Sequence, residues 1–365
     1  MKHLKINKVK KIFDFYPEFL TGAKRCTGQY SHVVENLLYY QVHHAGVPGS
    51  QVSSQSIAVA ELKDGSYIRK NSAILKDTLA CTNFRVFIDT NPNCNPIEKY
   101  KAIGGFHCGR SHPMVKECDV SQRSKEVEVY DPVWPDVKRS LFKNDKIYNP
   151  KHANGLYAFT SADGVDWSSS KQPIISIFAS SSDVPLGMIG FDCMPSCFFD
   201  SRINKYVLYF RSNIKLGCRH VLRSESIDFN TWSTPEYIRL NPSFDFDHDN
   251  LYYMGAYQLS DGSYIAFPST YKVYVKSLRP QVEDHKEAIT KVLRSYDGVS
   301  WIHLGNVLYD GELCDMSKGH MQSPHVLSFI EKKYSYIFIV QEGYFVKKNC
   351  LFEYQISKDE FWKTM

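Results

Sequence analysis

The sequence predicts an all-β fold, a five-bladed β-propeller with four-stranded blades whose ring is closed by an N-terminal strand. Three observations support this prediction. A short turn recurs at roughly 65-residue spacing, alternating apolar and polar residues fill the intervals, and four of the five tryptophans lie in the turns. A period of this length, filled with short strands, is typical of propeller blades rather than of helical repeats.

The recurring turn has the form Ser-x-Asp-Gly-x-x-Trp. Its Asp can accept backbone N–H groups inside the turn, its Gly supplies a positive φ, and its Trp can pack between neighbouring blades. We therefore interpret these Asp and Trp residues as structural rather than functional. The copies are marked by Asp163, Asp228, Asp297 and Asp359, with a weaker copy without Trp at Asp64.

The strands of each blade follow from the alternation of residues between turn signals. Blade 1 is predicted at 31–34, 37–42, 56–60 and 66–70. Blade 2 is predicted at 84–89, at 99–106 and from Leu156. Blade 3 is predicted at 197–199, 205–210, 219–226 and 235–240. Blade 4 is predicted at 251–259, 263–268 and 292–295, and blade 5 at 324–329, 334–340 and 350–357.

Two features complete the predicted ring. Too few residues follow Trp362 for a fourth strand in blade 5, so we expect residues 5–15 to supply it, because ring closure leaves no unpaired sheet edge. The charged stretch 107–150 follows the second strand of blade 2 and is expected to form a lid over a central site.

Composition favours one closed domain that covers residues 1–365. No Pro/Gly/Ser-rich linker divides the chain, and the aromatic content of 14% suits both β-sheets and carbohydrate stacking. The formal charge of +5 comes partly from a lysine cluster at the N-terminus and does not indicate nucleic-acid binding. No segment has the apolar run of a signal peptide or a membrane span, so we expect a cytoplasmic protein.

The ten cysteines are expected to be reduced thiols, because their spacings match no small disulfide scaffold. Two groups suggest metal ligands by residue type, but their spacings match no standard zinc module, so we predict no metal and no cofactor. These groups are Cys193 with Cys197, and His107 with Cys108, His112 and Cys118.

With these segments in view, the chain resembles the five-bladed β-propeller glycosidases, the clan of glycoside hydrolase families 32, 43 and 68, and in particular a bacterial family-32-like group. The resemblance spans nearly the whole chain and is carried by the segments FIDTNPNCNPIEKYKA, GLYAFTSADGVDW, FFDSRINKYVLYFR, RSESIDFNTW and DGSYIAFPSTY. It implies the propeller fold and an activity on a carbohydrate or glycoconjugate substrate.

The chain departs from the invertases of family 32 at two motifs. Their nucleophile lies in a Trp-x-Asn-Asp-Pro-type motif that leads into blade 1, whereas residues 25–31 read RCTGQYS and contain no carboxylate. The Arg-Asp-Pro motif is also missing. The resemblance therefore does not support fructosidase activity.

Position in the blade selects the candidate catalytic carboxylates. Asp89, Asp200 and Asp261 follow first strands and are expected on the face opposite the central funnel. Cleavage of a glycosidic bond needs a carboxylic acid and a second carboxylate, which acts as base or nucleophile. The candidates that reach the funnel are Asp192, Asp249, Asp315 and Glu342, with Asp192 as base or nucleophile and Glu342 as acid. Each of them has a structural alternative, as a loop carboxylate that caps a turn or pairs with Arg.

The candidate substrate-binding residues are Arg211, His320, His107, Glu312 and Tyr252. Arg211 either binds a sugar carboxylate or phosphate or neutralises Asp192. The histidines either donate to sugar hydroxyls or are solvated loop residues, and Tyr252 either stacks on a sugar ring or packs inside the protein.

Three functions follow from these residues. The first is a glycoside hydrolase-like enzyme, or a related phosphorylase or transferase, that uses funnel carboxylates on an oligosaccharide or glycoconjugate. The second is a non-catalytic carbohydrate-binding propeller, which the missing blade 1 carboxylate favours. The third is a protein-interaction propeller.

Overall fold

The computed structural model describes residues 2–15, 23–44, 55–76, 83–106, 155–176, 193–213, 219–241, 249–272, 288–310, 325–342 and 350–365. These residues are almost entirely β. The exceptions are a 3-10 turn at Pro96–Glu98 and a C-terminal helix, α1 (Lys358–Thr364). The predicted lid at 107–150 lies outside the described residues.

Within the described residues the strands form five antiparallel units, here called meanders 1 to 5. An N-terminal strand, β1 (His3–Asp14), precedes them. Meander 1 contains β2 (Ala23–Val34), β3 (Leu37–His44), β4 (Gln55–Lys63) and β5 (Ser66–Lys76). Meander 2 contains β6 (Arg85–Ile88), β7 (Tyr100–Phe106), β8 (Gly155–Ser161), β9 (Ser168–Ser169) and β10 (Ile175–Ser176). Meander 3 contains β11 (Ser196–Asp200), β12 (Lys205–Asn213), β13 (Arg219–Ser226) and β14 (Glu236–Tyr237).

Meanders 4 and 5 share one larger sheet. Strand β15 (Arg239–Asn241) leads into it. The first and second strands of meander 4 are each interrupted, so meander 4 contains β16 (Asp249–Tyr253), β17 (Ala256–Gln258), β18 (Tyr264–Ala266), β19 (Ser269–Lys272), β20 (Ala288–Ser295) and β21 (Ser300–Tyr309). Meander 5 contains β22 (His325–Glu331), β23 (Ser335–Glu342) and β24 (Cys350–Ser357).

Strand β1 joins these last two meanders. Its first residues pair in parallel with β21, where His3 lies opposite Asn306. Its remaining residues pair antiparallel with β24, from Asn7 opposite Gln355 to Asp14 opposite Cys350. The N-terminal segment is therefore a strand at the outer edge of β24, as the sequence predicts.

The hydrophobic core lies between the meanders. Strands such as β12 are buried on both faces, because each sheet packs against a neighbour on either side. Val207 and Tyr209 of β12 pack with Leu251 and Tyr264 of meander 4, whereas Leu208 packs toward meander 2. The two faces of one strand thus contribute to two different cores.

The repeated turns have the structural role that the sequence predicts. Asp163 accepts the backbone N–H groups of Val165 and Asp166 at 2.8 and 2.9 Å, and Gly164 has a φ of +77°. The Gly164 carbonyl accepts Trp167 Nε1–H at 3.1 Å and the Tyr39 hydroxyl of meander 1 at 2.8 Å. The turn at Gly164 therefore links meander 2 to meander 1 through a hydrogen bond.

Three copies of the turn differ from this pattern. The copy at Asp64 is a two-residue hairpin turn between Lys63 and Ser66, in which both Asp64 and Gly65 have a positive φ. In the copy marked by Asp228, Phe229 takes the glycine position with a φ of +66°, and its ring packs between Phe87 and Tyr206. The copy predicted at Asp359 is wrong as a turn. Residues Lys358–Thr364 form α1, because the Ser357 side chain caps the helix by accepting the Glu360 N–H at 3.1 Å.

Each meander has two ends, which are named here by its first strand. The upper end is where the first strand begins, and the lower end is where it ends. At the lower end, carboxylates accept hydroxyl groups from tyrosines of the next meander. The three pairs are Glu35 with Tyr100 at 2.5 Å, Asp89 with Tyr206 at 2.7 Å, and Asp200 with Tyr264.

These contacts give Asp89 and Asp200 a structural role, and their position opposite a funnel stays a prediction. Both side chains are fully buried, and both have cations nearby. Lys101 lies 3.5 Å from Asp89, and Arg202 lies 3.1 Å from Asp200. The lower-end carboxylates therefore hold meanders together.

Candidate functional site

Three of the predicted site residues have side chains that the structure describes: Arg211, Tyr252 and Glu342. Asp249 begins β16, where its backbone pairs with Lys272 of β19. The remaining predicted residues lie outside the described residues and stay predictions. They are Asp192, Asp315, His107, His320 and Glu312.

The structure brings Arg211 and Tyr252 together at the upper end. Arg211 lies near the end of β12, opposite Val221, and its side chain is buried. The central carbon of its guanidinium group lies 4.9 Å from the ring centre of Tyr252 in β16. This is the geometry of a cation–π contact, which links meanders 3 and 4.

A histidine of meander 5 adds to this pair. The rings of His325 and Tyr252 are stacked with their centres 6.4 Å apart, and His325 Nδ1 lies 2.6 Å from the Ser269 hydroxyl oxygen. Burial lowers the pKa of His325 to about 4, so its imidazole is neutral near pH 7. Sequence reasoning selected His320 and missed His325, which is identifiable as the polar residue that opens the buried strand HVLSF.

A second arginine, Arg85, contacts residues of several meanders. Arg85, at the start of β6, donates through Nη1 to the Leu327 carbonyl at 2.6 Å and to Met194 Sδ at 3.7 Å. Its Nη2 donates to the Tyr257 hydroxyl at 3.4 Å. One side chain of meander 2 therefore contacts meanders 4 and 5 and the residue that leads into meander 3.

The backbone of the adjacent residue, Val86, contacts meander 1. The Val86 N–H donates to His32 Nε2 at 2.8 Å, and the His32 ring stacks on Tyr39 with a centre distance of 5.1 Å. All five meanders thus approach the position of Arg85. The residues Arg85, Arg211, Tyr252, Ser269 and His325 are called the upper cluster below.

Glu342 lies apart from this cluster, at the junction with the N-terminal strand. Its carboxylate pairs with Lys8 of β1 at 2.8 Å and accepts the hydroxyl of Tyr354 in β24. Burial and the hydrogen bond to Glu342 together raise the pKa of Tyr354. These contacts connect Glu342 to β1, and its role as an acid stays a prediction.

The part of the chain that the structure describes has neither a metal-binding group of side chains nor a membrane-spanning helix. No three side chains among its His, Cys, Asp and Glu residues are grouped so that they could hold a metal ion. No described helix is both long and apolar enough to span a membrane.

Known proteins match this chain by structure and not by sequence. No protein-family model matches the sequence, and a search of curated proteins finds no match. Solved structures do match over nearly their full length. An N-acetylgalactosamine deacetylase from F. plautii, in complex with blood group B trisaccharide, is 10% identical with a TM-score of 0.56, and the match covers 98% of this chain and 97% of that one.

Two further structures give the same result. A protein described as a glycoside hydrolase is 11% identical with a TM-score of 0.53, over 95% of this chain and 92% of its own. The α-L-arabinofuranosidase from Podospora anserina, in complex with cellotriose, is 10% identical with a TM-score of 0.51, over 97% of each chain. The chain has the fold of these glycan-acting enzymes. The resemblance to the β-propeller glycosidase clan is thereby confirmed at the level of the fold.

Proposed function

We propose that the protein is a glycoside hydrolase-like enzyme that cleaves or transfers a glycosidic bond of an oligosaccharide or glycoconjugate. The observation that carries this proposal is the upper cluster, in a fold shared with glycan-acting enzymes. In this cluster the Tyr252 ring contacts Arg211 and the neutral His325, and Arg85 contacts the strand that begins at His325. Aromatic faces stack on sugar rings, and fixed polar groups beside them orient the hydroxyls.

The proposal includes a closed ring of five blades. In this ring each meander is one blade, and β1 is the fourth strand of the last blade. The pairing of β1 with β24 supports the closure, as do contacts of β2 with both β6 and β22 and of β11 with both β6 and β17. A ring of this kind directs the loops before its first strands toward a common axis.

The catalytic step is assigned to carboxylates from these loops and from the end of the second strand of meander 5. One carboxylic acid protonates the leaving oxygen, and a carboxylate either activates water or attacks the sugar directly. We assign Asp192, two residues before the Arg85 contact Met194, as the base or nucleophile. Asp249, Asp315 and Glu342 are the proposed partners, with Glu342 as the acid. Arg211 and Tyr252 are proposed to bind the sugar.

The alternative is carbohydrate binding without cleavage. It is favoured by one observation, the absence of a carboxylate from the stretch RCTGQYS at residues 25–31, where invertases of family 32 carry their nucleophile. Binding and cleavage share the upper cluster and differ only in the carboxylates, so one set of variants separates them.

The test is turnover of a panel of aryl glycosides and oligosaccharides by the wild-type protein and by Asp192→Asn. We expect the wild type to release product and the variant to lose at least about 10³-fold in kcat, because the amide cannot act as base or nucleophile. Circular dichroism and the unfolding midpoint of the variant should match those of the wild type.

The matched control is Asp166→Asn, which changes an exposed carboxylate in a lower-end turn. It should leave kcat and KM unchanged. Sugar binding by the wild type with no product after prolonged incubation would select the binding-only alternative. Full activity of Asp192→Asn would remove Asp192 from the mechanism.

A further inference from the structure

Arg85 has an electrostatic environment that differs from that of the lower-end arginines. Arg202 has its guanidinium 3.1 Å from the Asp200 carboxylate, and Arg223 lies 2.6 Å from Glu225. The hydrogen bonds of Arg85 instead run to a backbone carbonyl, a thioether and a phenol. None of the described residues places a carboxylate against Arg85.

This environment leaves a buried positive charge without an anion from the described residues. Arg85 is 9% exposed. Removing a cation from water costs several kcal/mol unless an anion and well-formed hydrogen bonds offset the cost. Neutral acceptors such as the Leu327 carbonyl offset it in part, and an anionic ligand would offset it further.

The donors of Arg85 also remain incompletely used. A guanidinium group has five N–H donors in a planar fork that matches the oxygens of a carboxylate or phosphate. The hydrogen bonds of Arg85 within the described residues all come from Nη1 and Nη2, so they leave the Nε donor available. Tyr257, whose ring centre lies 5.7 Å from the guanidinium carbon, holds the group from the other side.

A second cation strengthens the asymmetry at the same end. Arg211 is buried and contacts Tyr252, so two arginines belong to the upper cluster. The two histidines buried at this end, His220 and His325, both have a pKa that burial lowers to about 4, and they add no charge near pH 7. The five residues of the upper cluster therefore include two arginines and no carboxylate, whereas the lower end carries paired carboxylates.

We propose that the upper cluster recognises an anionic sugar, one that carries a carboxylate or a phosphate group, and that Arg85 is the residue that determines this specificity. This inference rests on the proposed function, since it names the substrate class of the same site. The sugar ring packs against Tyr252 while its anionic group pairs with the guanidinium of Arg85.

The test is isothermal titration calorimetry with four probes: D-glucuronic acid, glucose 6-phosphate, D-glucose and inorganic phosphate. We expect one of the two anionic sugars to bind the wild type at least 10-fold more tightly than glucose, and more tightly than inorganic phosphate. The preferred probe shows whether a carboxylate or a phosphate is recognised. Raising the ionic strength should weaken its binding and leave that of glucose unchanged.

Variants test whether Arg85 causes the preference for the anionic sugar. Arg85→Gln should lose at least 10-fold in affinity for the anionic sugar and little for glucose, while Arg85→Lys should keep part of the preference. The control Arg239→Gln removes an exposed arginine on β15 and should bind like the wild type. If Arg85→Gln does not fold, the inference is tested by the wild type alone, through its preference for the anionic sugar and the salt dependence of that binding.

Failure of this inference differs from failure of the proposed function. Equal binding of glucose and both anionic sugars, or tighter binding of inorganic phosphate than of either sugar, would overturn the inference even if the protein cleaves neutral glycosides. Salt-sensitive binding of an anionic sugar that depends on Arg85 would support it even if no glycosidic bond is cleaved. Binding of none of the four probes would also overturn it.

Discussion

The lower and upper ends of the meanders place their charges in opposite ways. At the lower end, Asp89 and Asp200 are buried but accept hydroxyls from Tyr206 and Tyr264, and each has a cation within 3.5 Å. At the upper end, Arg85 and Arg211 are buried against aromatic rings. The lower-end carboxylates thus have cationic partners, whereas the hydrogen bonds of Arg85 go to neutral groups.

This difference separates what holds the fold from what can bind a ligand. A buried polar group that is fully hydrogen-bonded rigidifies the structure, whereas one with spare donors can accept a partner. The lower end belongs to the first kind and Arg85 to the second. Four predictions test this division, in order of decreasing expected effect.

Removing a lower-end carboxylate should give the largest loss of stability. Asp200 accepts hydrogen bonds from Arg202, Gln258 and Tyr264, so Asp200→Ala leaves buried donors without an acceptor. We expect the free energy of unfolding to fall by about 3 to 5 kcal/mol. Urea denaturation at pH 7 measures it.

The control for this prediction is Asp166→Ala, which removes an exposed carboxylate from another lower-end turn. Its effect should be within about 0.5 kcal/mol of zero. Equal losses in the two variants would show that the buried network does not stabilise the protein.

Acidification should affect the two ends in different pH ranges. Burial lowers the pKa values of His220 and His325 to about 4 from 6.5. Between these values the unfolded chain binds protons that the folded chain does not, so stability is complete above pH 6.5 and falls toward pH 4. Each histidine accounts for about 3 kcal/mol of this loss.

The lower-end carboxylates act in a more acidic range. The hydrogen bond from Tyr100 lowers the pKa of Glu35, and that of Asp200 is also lowered, because hydrogen bonds from Arg202 and Tyr264 outweigh the effect of burial. Their contribution is lost only as pH falls below about 4. Urea unfolding of the wild type and of His220→Asn/His325→Asn from pH 7 to 3 checks both ranges. An unchanged slope above pH 4 in the double variant would contradict the assignment to histidine.

The repeated turn could be predicted because its contacts are local. The Asp163 carboxylate bonds to backbone groups two and three residues away, so the motif and its structure repeat together. The same local reasoning identifies the one wrong copy. The letters SKDE at 357–360 form a capping box, a Ser followed three residues later by Glu, which predicts the start of a helix.

The contacts between meanders are harder to predict from the sequence, because their partners lie far apart in the chain. Tyr206 and Asp89 are 117 residues apart. A signal was nevertheless present, since each meander has an acid at the end of its first strand and most have a Tyr near the start of the second, as in FFDSRINKY. The upper cluster had no such signal, because the contacts of Arg85 depend on how several meanders are arranged.

The glycines of the repeated turns should show an intermediate effect that depends on the neighbouring meander. A Cβ on Gly164 would lie 2.5 Å from the Tyr39 hydroxyl oxygen, whereas a Cβ on Gly65 would meet no atom within 4 Å. Both residues have positive φ, so both alanine variants carry backbone strain. We expect Gly164→Ala to lose about 2 to 3 kcal/mol and Gly65→Ala about 1 kcal/mol. Denaturation midpoints measure this difference, and equal losses would argue against the contact between meanders 1 and 2.

The smallest effect is expected where a lower-end pair reaches solvent. The Glu35 side chain is 44% exposed, whereas that of Asp89 is fully buried, although each accepts a tyrosine hydroxyl. Water can replace the hydroxyl in Tyr100→Phe, so we expect a loss below about 1 kcal/mol, and about 2 kcal/mol for Tyr206→Phe, where a buried acceptor loses its partner. Urea denaturation of the two variants side by side gives the ratio. A larger loss for Tyr100→Phe would mean that burial does not determine the strength of these bonds, and the lower end would then stabilise the fold chiefly through its apolar contacts.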